Sequence, residues 1–221
     1  MGISTIAKII ASAYGALLGL WLLALPAARR AFGKRPAFTA PGTPLPTRER
    51  SAPAAAAGTL AVFLANIFTM AMFLFAAVRP EARGFVESLR IPLPAEAHFA
   101  GAVLFLLNGL WGLLVLVFNP AYSPFFMKRT GAVTLATRGP YALVRHPRYA
   151  SEAALNVILF LFTGAWIPLL GILGWPSIRR QALREEEFLL QTAPEAYERY
   201  MAATGRLLPR WKFRKTDRPG N

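Results

Sequence analysis

Cysteine is absent from this sequence, histidine occurs only at His98 and His146, and acidic residues number 11 in 221. The first absence excludes a disulfide framework, a thiolate zinc site and a cysteine nucleophile. Two histidines exclude a multi-histidine metal centre. Charge is scarce as well, at 16% of residues against about 25% in an ordinary soluble domain. No G-x-G-x-x-G occurs, so the usual dinucleotide fingerprint is missing. What remains is apolar. Hydrophobic residues make up 55% of the chain and fall in blocks, which points away from both a disordered chain and a water-soluble globule.

Lysine and arginine total 25, giving a net charge of +14. Such an excess fits nucleic-acid binding, but in so apolar a chain it has another cause, because cytoplasmic loops of membrane proteins collect Lys and Arg. No nucleic-acid partner is expected. Three apolar runs, Thr5–Pro26, Ala54–Val78 and Ala97–Phe118, each reach the roughly 20 residues that cross a bilayer. The first is too long for a signal-peptide core, and Arg29-Arg30 reads as a stop-transfer flank. Asn66 and Asn108 interrupt the second and third, either lining an opening or joining helices by hydrogen bonds.

The loops set the expected orientation. Arg29, Arg30, Lys34, Arg35, Arg48 and Arg50 crowd the first loop beside a single acid, Glu49, whereas acids balance the second. The positive-inside rule therefore places the N-terminus outside, the Pro-rich loop from Pro36 to Pro53 inside, and the chain after Phe118 at the cytoplasmic face.

A fourth apolar block, Ala153–Trp175, stands between Arg145-His146-Pro147-Arg148-Tyr149 and Arg184-Glu185-Glu186-Glu187. As one straight helix it would hold Tyr149 and Glu185 about 54 Å apart. Gly164 and Pro168 offer a break instead. A turn there leaves a first arm from Ala150 to Thr163 of about 21 Å, with a second arm running from Pro168 past Arg180. Such a hairpin returns Glu185 to the face of Arg145. A single proline-kinked span is the alternative, and local geometry leaves both open.

Thr137-Arg138-Gly139-Pro140-Tyr141, the Arg145–Tyr149 stretch and Glu185-Glu186 then make a polar set at one membrane face. Gly139-Pro140 is a turn signal, and Pro147 restrains His146. Cations in such a set hold a carboxylate or phosphate, acids hold an amine or ribose, and the tyrosines pack on a flat ring. Each piece has an ordinary explanation, as basic flank, interfacial aromatic or solvated helix face.

On these residues the stretch from Thr134 to Pro209 resembles the integral-membrane isoprenylcysteine carboxyl methyltransferase and phospholipid methyltransferase superfamily. The matching pieces are Thr137–Tyr141, Val144-Arg145-His146-Pro147 with Tyr149, Arg184-Glu185-Glu186 with Leu190, then Tyr197, Tyr200, Arg206 and Leu208-Pro209. With the three apolar runs as full spans, the resemblance implies an all-α polytopic membrane bundle that adds a C-terminal helical hairpin and a cytoplasmic helical segment. Residues 1–125 would hold the spans, 126–215 the catalytic region and 216–221 a tail.

The cofactor so implied is S-adenosylmethionine, bound without a metal by Val133, Thr134, Leu135, Ala136, Tyr141, His146, Pro147, Tyr149 and Glu185. The catalytic set would be Arg145, Glu185, Glu186 and an acceptor-binding arginine a turn before the acids. At that ungapped position stands Gln181, with Arg180 and Arg184 beside it, and Arg180 is assigned the role. The expected partners are membrane lipids and a lipophilic acceptor: a small molecule, a lipid or a prenylated chain. Two features depart from the pattern. Ala150-Ser151-Glu152 replaces a frequent glycine, and Pro194 replaces another. Glu152 leans instead toward the NADPH-dependent membrane sterol reductases, which share Arg-His-Pro-x-Tyr and form the alternative. A non-enzymatic scaffold is the third reading.

Overall fold

In the computed structural model the described residues are 1–32, 53–119 and 135–210. The Pro36–Pro53 loop apart from Pro53, Val133, Thr134, the 125/126 boundary and the 216–221 tail lie outside them. Helix α1 spans Ile3–Phe32, α2 Pro53–Val78 and α4 Ala95–Phe118. All three are long and apolar enough to cross a membrane. Their outward faces carry exposed Leu22, Leu23, Leu64, Phe68 and Leu107, the composition that hydrocarbon rather than water accepts. The chain is an all-α membrane bundle, and the described residues contain no strand.

Between α2 and α4 the acid-balanced loop forms a 3-10 turn, Pro80–Ala82, and a short α3, Arg83–Ser88. Past α4, α5 (Pro140–Leu143) leads to α6, Pro147–Thr163. The Gly139-Pro140 turn forms where its sequence predicts, with Pro140 opening α5.

The fourth apolar block is a hairpin. Helix α6 ends at Gly164, whose φ of 76° is left-handed, a conformation that glycine adopts without a Cβ penalty. The chain then returns through α7 (Ile167–Leu170), a 3-10 segment (Gly171–Gly174) and α8, Trp175–Thr192. The second arm runs from the turn past Arg180 as expected, in three consecutive segments, and α6 starts three residues before the expected Ala150. Helix α9, Pro194–Ala203, completes the order.

Packing fixes the hairpin in the bundle. Helix α6 lies along α4, and a Cβ at Gly101 would run into the backbone of Leu161 and Phe162. That close approach also lets His98 Nδ1 reach the Phe162 carbonyl at 2.8 Å. One apolar cluster, with Ile6, Ile10, Phe73, Phe105, Leu159 and Phe162, fills the half of the bundle near the N-terminus. A second, Val62, Tyr149, Ile178 and Ala182, fills the other half.

Polar side chains join helices between these clusters. Asn156 Nδ2 donates to Asn66 Oδ1 at 2.8 Å, Trp175 Nε1 donates to Asn156 Oδ1 at 3.1 Å, and Ser151 donates to Asn108 at 3.0 Å. Asn66 and Asn108 therefore join helices.

The two ends of the bundle differ in content. At one end Arg90 donates to the carbonyls of Thr163 (2.7 Å) and Met1 (2.8 Å), and the Trp166 amide reaches Leu89 O at 3.2 Å. The chain start, the α2–α4 loop and the hairpin tip are thus tied together. The other end carries the polar set.

Candidate functional site

Sequence places Pro147 directly after His146, and the consequence is local. Pro147 opens α6, and His146 sits in its N-cap position with φ −122° and ψ 62°, off the helical region as a residue before proline should be. Trp111 of α4 holds this start by donating to the Pro147 carbonyl at 3.1 Å. On the other side, the Arg145 and His146 amides donate to Gly205 O (2.8 Å) and Arg206 O (3.0 Å). This short parallel bridge brings residues that follow α9 beside the start of α6.

Helix α8 supplies the acids. Its buried residues Ser177, Ile178, Gln181, Ala182 and Glu186 follow helical spacing, so one face meets the bundle. Glu186, with its side chain 4% exposed, is the hub. Arg145 Nε donates to its Oε1 at 2.9 Å, and Arg206 makes a fork through Nε (3.0 Å to each oxygen) and Nη2 (2.7 Å to Oε2). Such two-pronged guanidinium–carboxylate contacts fix direction as well as charge.

Glu185 is more open, at 32%. It accepts the Tyr149 hydroxyl proton at 2.8 Å and lies 3.6 Å from His146 Nδ1. The His146 and Tyr149 rings stack at 5.7 Å between centroids.

Electrostatics follow from this crowding. Burial works against a charge on His146, but the Glu185 and Glu186 carboxylates outweigh it and hold its pKa above the ordinary histidine value. Burial likewise opposes ionisation of Glu186, yet His146, Arg206 and Arg145 overturn that and hold it well below the usual carboxylate range. Burial, with the Glu186 charge beside it, pushes the Tyr197 hydroxyl up. Two buried polar atoms lack a hydrogen-bond partner among the described residues: Tyr197 Oη and His146 Nε2, which lies 3.3 Å from Glu186 Oε1.

The structure brings together Arg145, His146, Pro147, Tyr149, Glu185 and Glu186 from the sequence-predicted set. Tyr141 is buried next to them: its hydroxyl accepts from Asn119 at 3.2 Å, and its carbonyl accepts from Tyr200 at 2.7 Å. Leu135 and Ala136 are half-buried in the approach to α5. Arg145 is held by its surroundings, because Nη1 also donates to the carbonyls of Met201 (3.2 Å) and Thr204 (2.5 Å). Its geometry is that of a positioning residue.

Arg180 stands apart from this cluster. It is exposed, and its Nε donates to Pro176 O of its own helix at 3.4 Å. The inward position one turn before Glu185 belongs to Gln181, because 181 and 185 share a face and Gln181 is 3% exposed. Glu187 faces outward.

Arg206 and Tyr197 join the cluster although sequence reading gave neither a role. Arg206 is 20 residues from Glu186, and local spacing carries no sign of their pairing. The chain matches no family model, and no curated protein matches it.

Proposed function

We propose that the chain is an integral-membrane methyltransferase that uses S-adenosylmethionine to methylate a lipophilic acceptor at the cytoplasmic face. The observation that carries this reading is the convergence of His146 and Tyr149 with Glu185 across the hairpin, at one end of a membrane bundle. A second support is the buried Tyr197 Oη, which has no hydrogen-bond partner among the described residues. Buried polar atoms are normally satisfied, so an orphan in this cluster suits a polar group of a ligand.

The residues present fit such a cofactor. Glu185, one-third exposed, suits an α-amino group, the stacked His146 and Tyr149 rings suit a flat base or a sulfonium, and the Tyr197 hydroxyl suits a hydroxyl or carboxylate oxygen. When bound, the cofactor supplies a methyl group on a positively charged sulfur. The chain's own part is alignment and exclusion of water. Arg145 and Arg206 fix Glu186, Glu186 and Glu185 fix His146, and Trp111 fixes the helix start on which Tyr149 stands. The basic loops support the cytoplasmic assignment.

Calorimetry on detergent-purified protein tests the reading with three ligands. S-adenosylmethionine and S-adenosylhomocysteine are expected to bind, and NADPH is not. Binding of NADPH without either sulfur compound would replace the methyltransferase reading with the reductase.

A further inference from the structure

The second arm of the hairpin changes character along its outward face. Leu170 is 50% and Leu173 80% exposed just before α8 begins. Arg179, Arg180 and Arg184 follow, all exposed. Residues 180, 184, 187 and 191 recur on one side of the helix, so Glu187 and Gln191 end the row. The face thus runs from apolar side chains through guanidiniums to groups that suit water. The opposite face of the same helix, with Ile178, Ala182 and Glu186, is buried in the bundle.

Helix α2 sets the depth of these residues. Its apolar window, Ala57–Val78, has 22 residues, about 33 Å at ~1.5 Å each, against a hydrocarbon core of about 30 Å. The start of that window therefore marks the hydrocarbon edge on the site face. A Cβ at Gly58 would run into Ser177, and one at Gly174 into the Gly58 carbonyl, so α8 begins at this edge. Leu170 and Leu173 then fall on the hydrocarbon side, as their exposure requires. Counted from Ser177, Arg179 and Arg180 stand roughly 3–5 Å beyond the edge and Arg184 about 10 Å. The headgroup layer is about 5–7 Å deep, and flexible arginine stems bring all three guanidiniums into it.

No protein group answers this charge. Arg180 donates to Pro176 O of its own helix. Among the described residues Arg179 and Arg184 have no ion pair, and Glu187, one turn beyond Arg184, is tied to neither.

We propose that this face binds an anionic glycerophospholipid, its phosphate between Arg180 and Arg184 and an acyl chain along Leu170 and Leu173. Charge decides the class. A zwitterionic headgroup carries its own ammonium toward the arginines, whereas an anionic one brings net negative charge. Guanidinium also matches phosphate through two parallel donors. The basic loops assign this face to the cytoplasm, whose leaflet carries the anionic lipids. Glu185 and Glu186 stand on the same helix, so a lipid held here also steadies the arm that completes the polar cluster. The lipid site is independent of the methyl-transfer reading.

The test uses the full chain in nanodiscs of equal dioleoylphosphatidylcholine and dioleoylphosphatidylglycerol, with native mass spectrometry counting the lipids that stay bound on release. Phosphatidylglycerol should be retained over phosphatidylcholine by at least about tenfold. Arg180→Gln and Arg184→Gln should each cut that preference about fivefold, the share of one arginine at an anionic surface. The triple variant Arg179→Gln, Arg180→Gln, Arg184→Gln should remove it. Arg199→Gln, which takes the same charge from the exposed side of α9, should leave it unchanged. Wild type should melt higher in phosphatidylglycerol than in phosphatidylcholine nanodiscs. The triple variant should melt alike in both, at the wild-type phosphatidylcholine temperature. Soluble glycerophosphoglycerol, added to phosphatidylcholine nanodiscs, should shift nothing.

Equal retention of the two lipids by wild type would overturn the proposal, as would equal losses in Arg199→Gln and Arg180→Gln. Stabilisation by glycerophosphoglycerol to match the lipid would make the ligand a soluble phosphate and overturn it too. A triple variant that melts below wild type in phosphatidylcholine alone would assign the arginines to the fold rather than to an anionic lipid, with the same consequence.

Discussion

Tyr149 and Glu185 stand 36 residues apart in sequence and meet through a hydrogen bond of 2.8 Å. A continuous helix would separate them by about 54 Å. This contact exists because Gly164 adopts a left-handed conformation and turns the chain back. It also makes the polar end of the molecule one cluster rather than two separate flanks.

Ligand binding should follow that contact. His146→Ala and Glu185→Ala are each expected to weaken S-adenosylhomocysteine by about 1.5–3 kcal/mol, the range for hydrogen bonds to charged groups. Arg83→Ala, whose side chain donates to Ala76 O at the opposite end, should leave the affinity unchanged. Calorimetry on the three variants checks this, and equal losses in all three would make the cluster purely structural.

Removing the hub should cost stability. Glu186→Ala leaves the Arg145 guanidinium, 8% exposed, without its counter-charge, and breaking a buried pair costs about 3–5 kcal/mol. Arg206→Ala should cost clearly less, because Arg206 is 29% exposed and Glu186 keeps Arg145. Denaturant unfolding in detergent ranks the two, and the opposite order would shift the hub to Arg206.

The cluster also predicts a pH profile. The raised His146 pKa means its stabilisation is complete below its ordinary value of about 6.5 and is lost as pH rises through the higher native value. The depressed Glu186 pKa gives stabilisation present above the ordinary carboxylate value, lost as pH falls through the lower native value. The melting temperature should therefore fall as pH rises through that higher native His146 value, and His146→Gln should flatten that limb. An unchanged limb in the variant would remove His146 as its source.

With no native cysteine, single-cysteine labelling reads the faces directly. Cysteines replacing Arg138 and Gln191 should react with an impermeant reagent from the same side, expected to be cytoplasmic, and one replacing Ser88 from the other. Labelling of 138 and 191 from opposite sides would undo the shared site.

Inside the bundle, Asn156 accepts from Trp175 and donates to Asn66 at zero exposure. Asn156→Leu should destabilise by about 1–2 kcal/mol, near the upper end for such bonds in membranes. A double-mutant cycle with Trp175→Phe should show coupling between the two positions, and strictly additive losses would mean the bond contributes nothing.

The three spans were legible because their length and lack of charge leave few alternatives. The hairpin was half legible. Gly164 and Pro168 announced a break, but choosing a return over a kink needed the tertiary fit of Gly101 against the α6 backbone. Within the site, His146, Tyr149 and the two acids stood out as a polar set flanking the apolar block, but only the family resemblance chose them over ordinary flanking residues. Arg206 was not assigned, because its fork onto Glu186 depends on the Val144–Gly205 bridge, a long-range pairing that no periodicity announces. Arg180 was assigned because the resembled family has an arginine a turn before the acids, whereas the inward position of α8 there holds Gln181.

That same bridge sets an order of events during synthesis. Arg145 emerges from the ribosome 41 residues before Glu186 and 59 before Thr204. At about 5–20 residues per second, 59 residues take roughly 3–12 s, an interval in which the first strap of the site has no counter-charge. The three spans need nothing from this later stretch and can enter the bilayer during that wait. A chain stalled on the ribosome with residue 192 just exposed should thus have its spans in place while the 137–149 segment is still cut by an added protease. Release of the full chain should protect it.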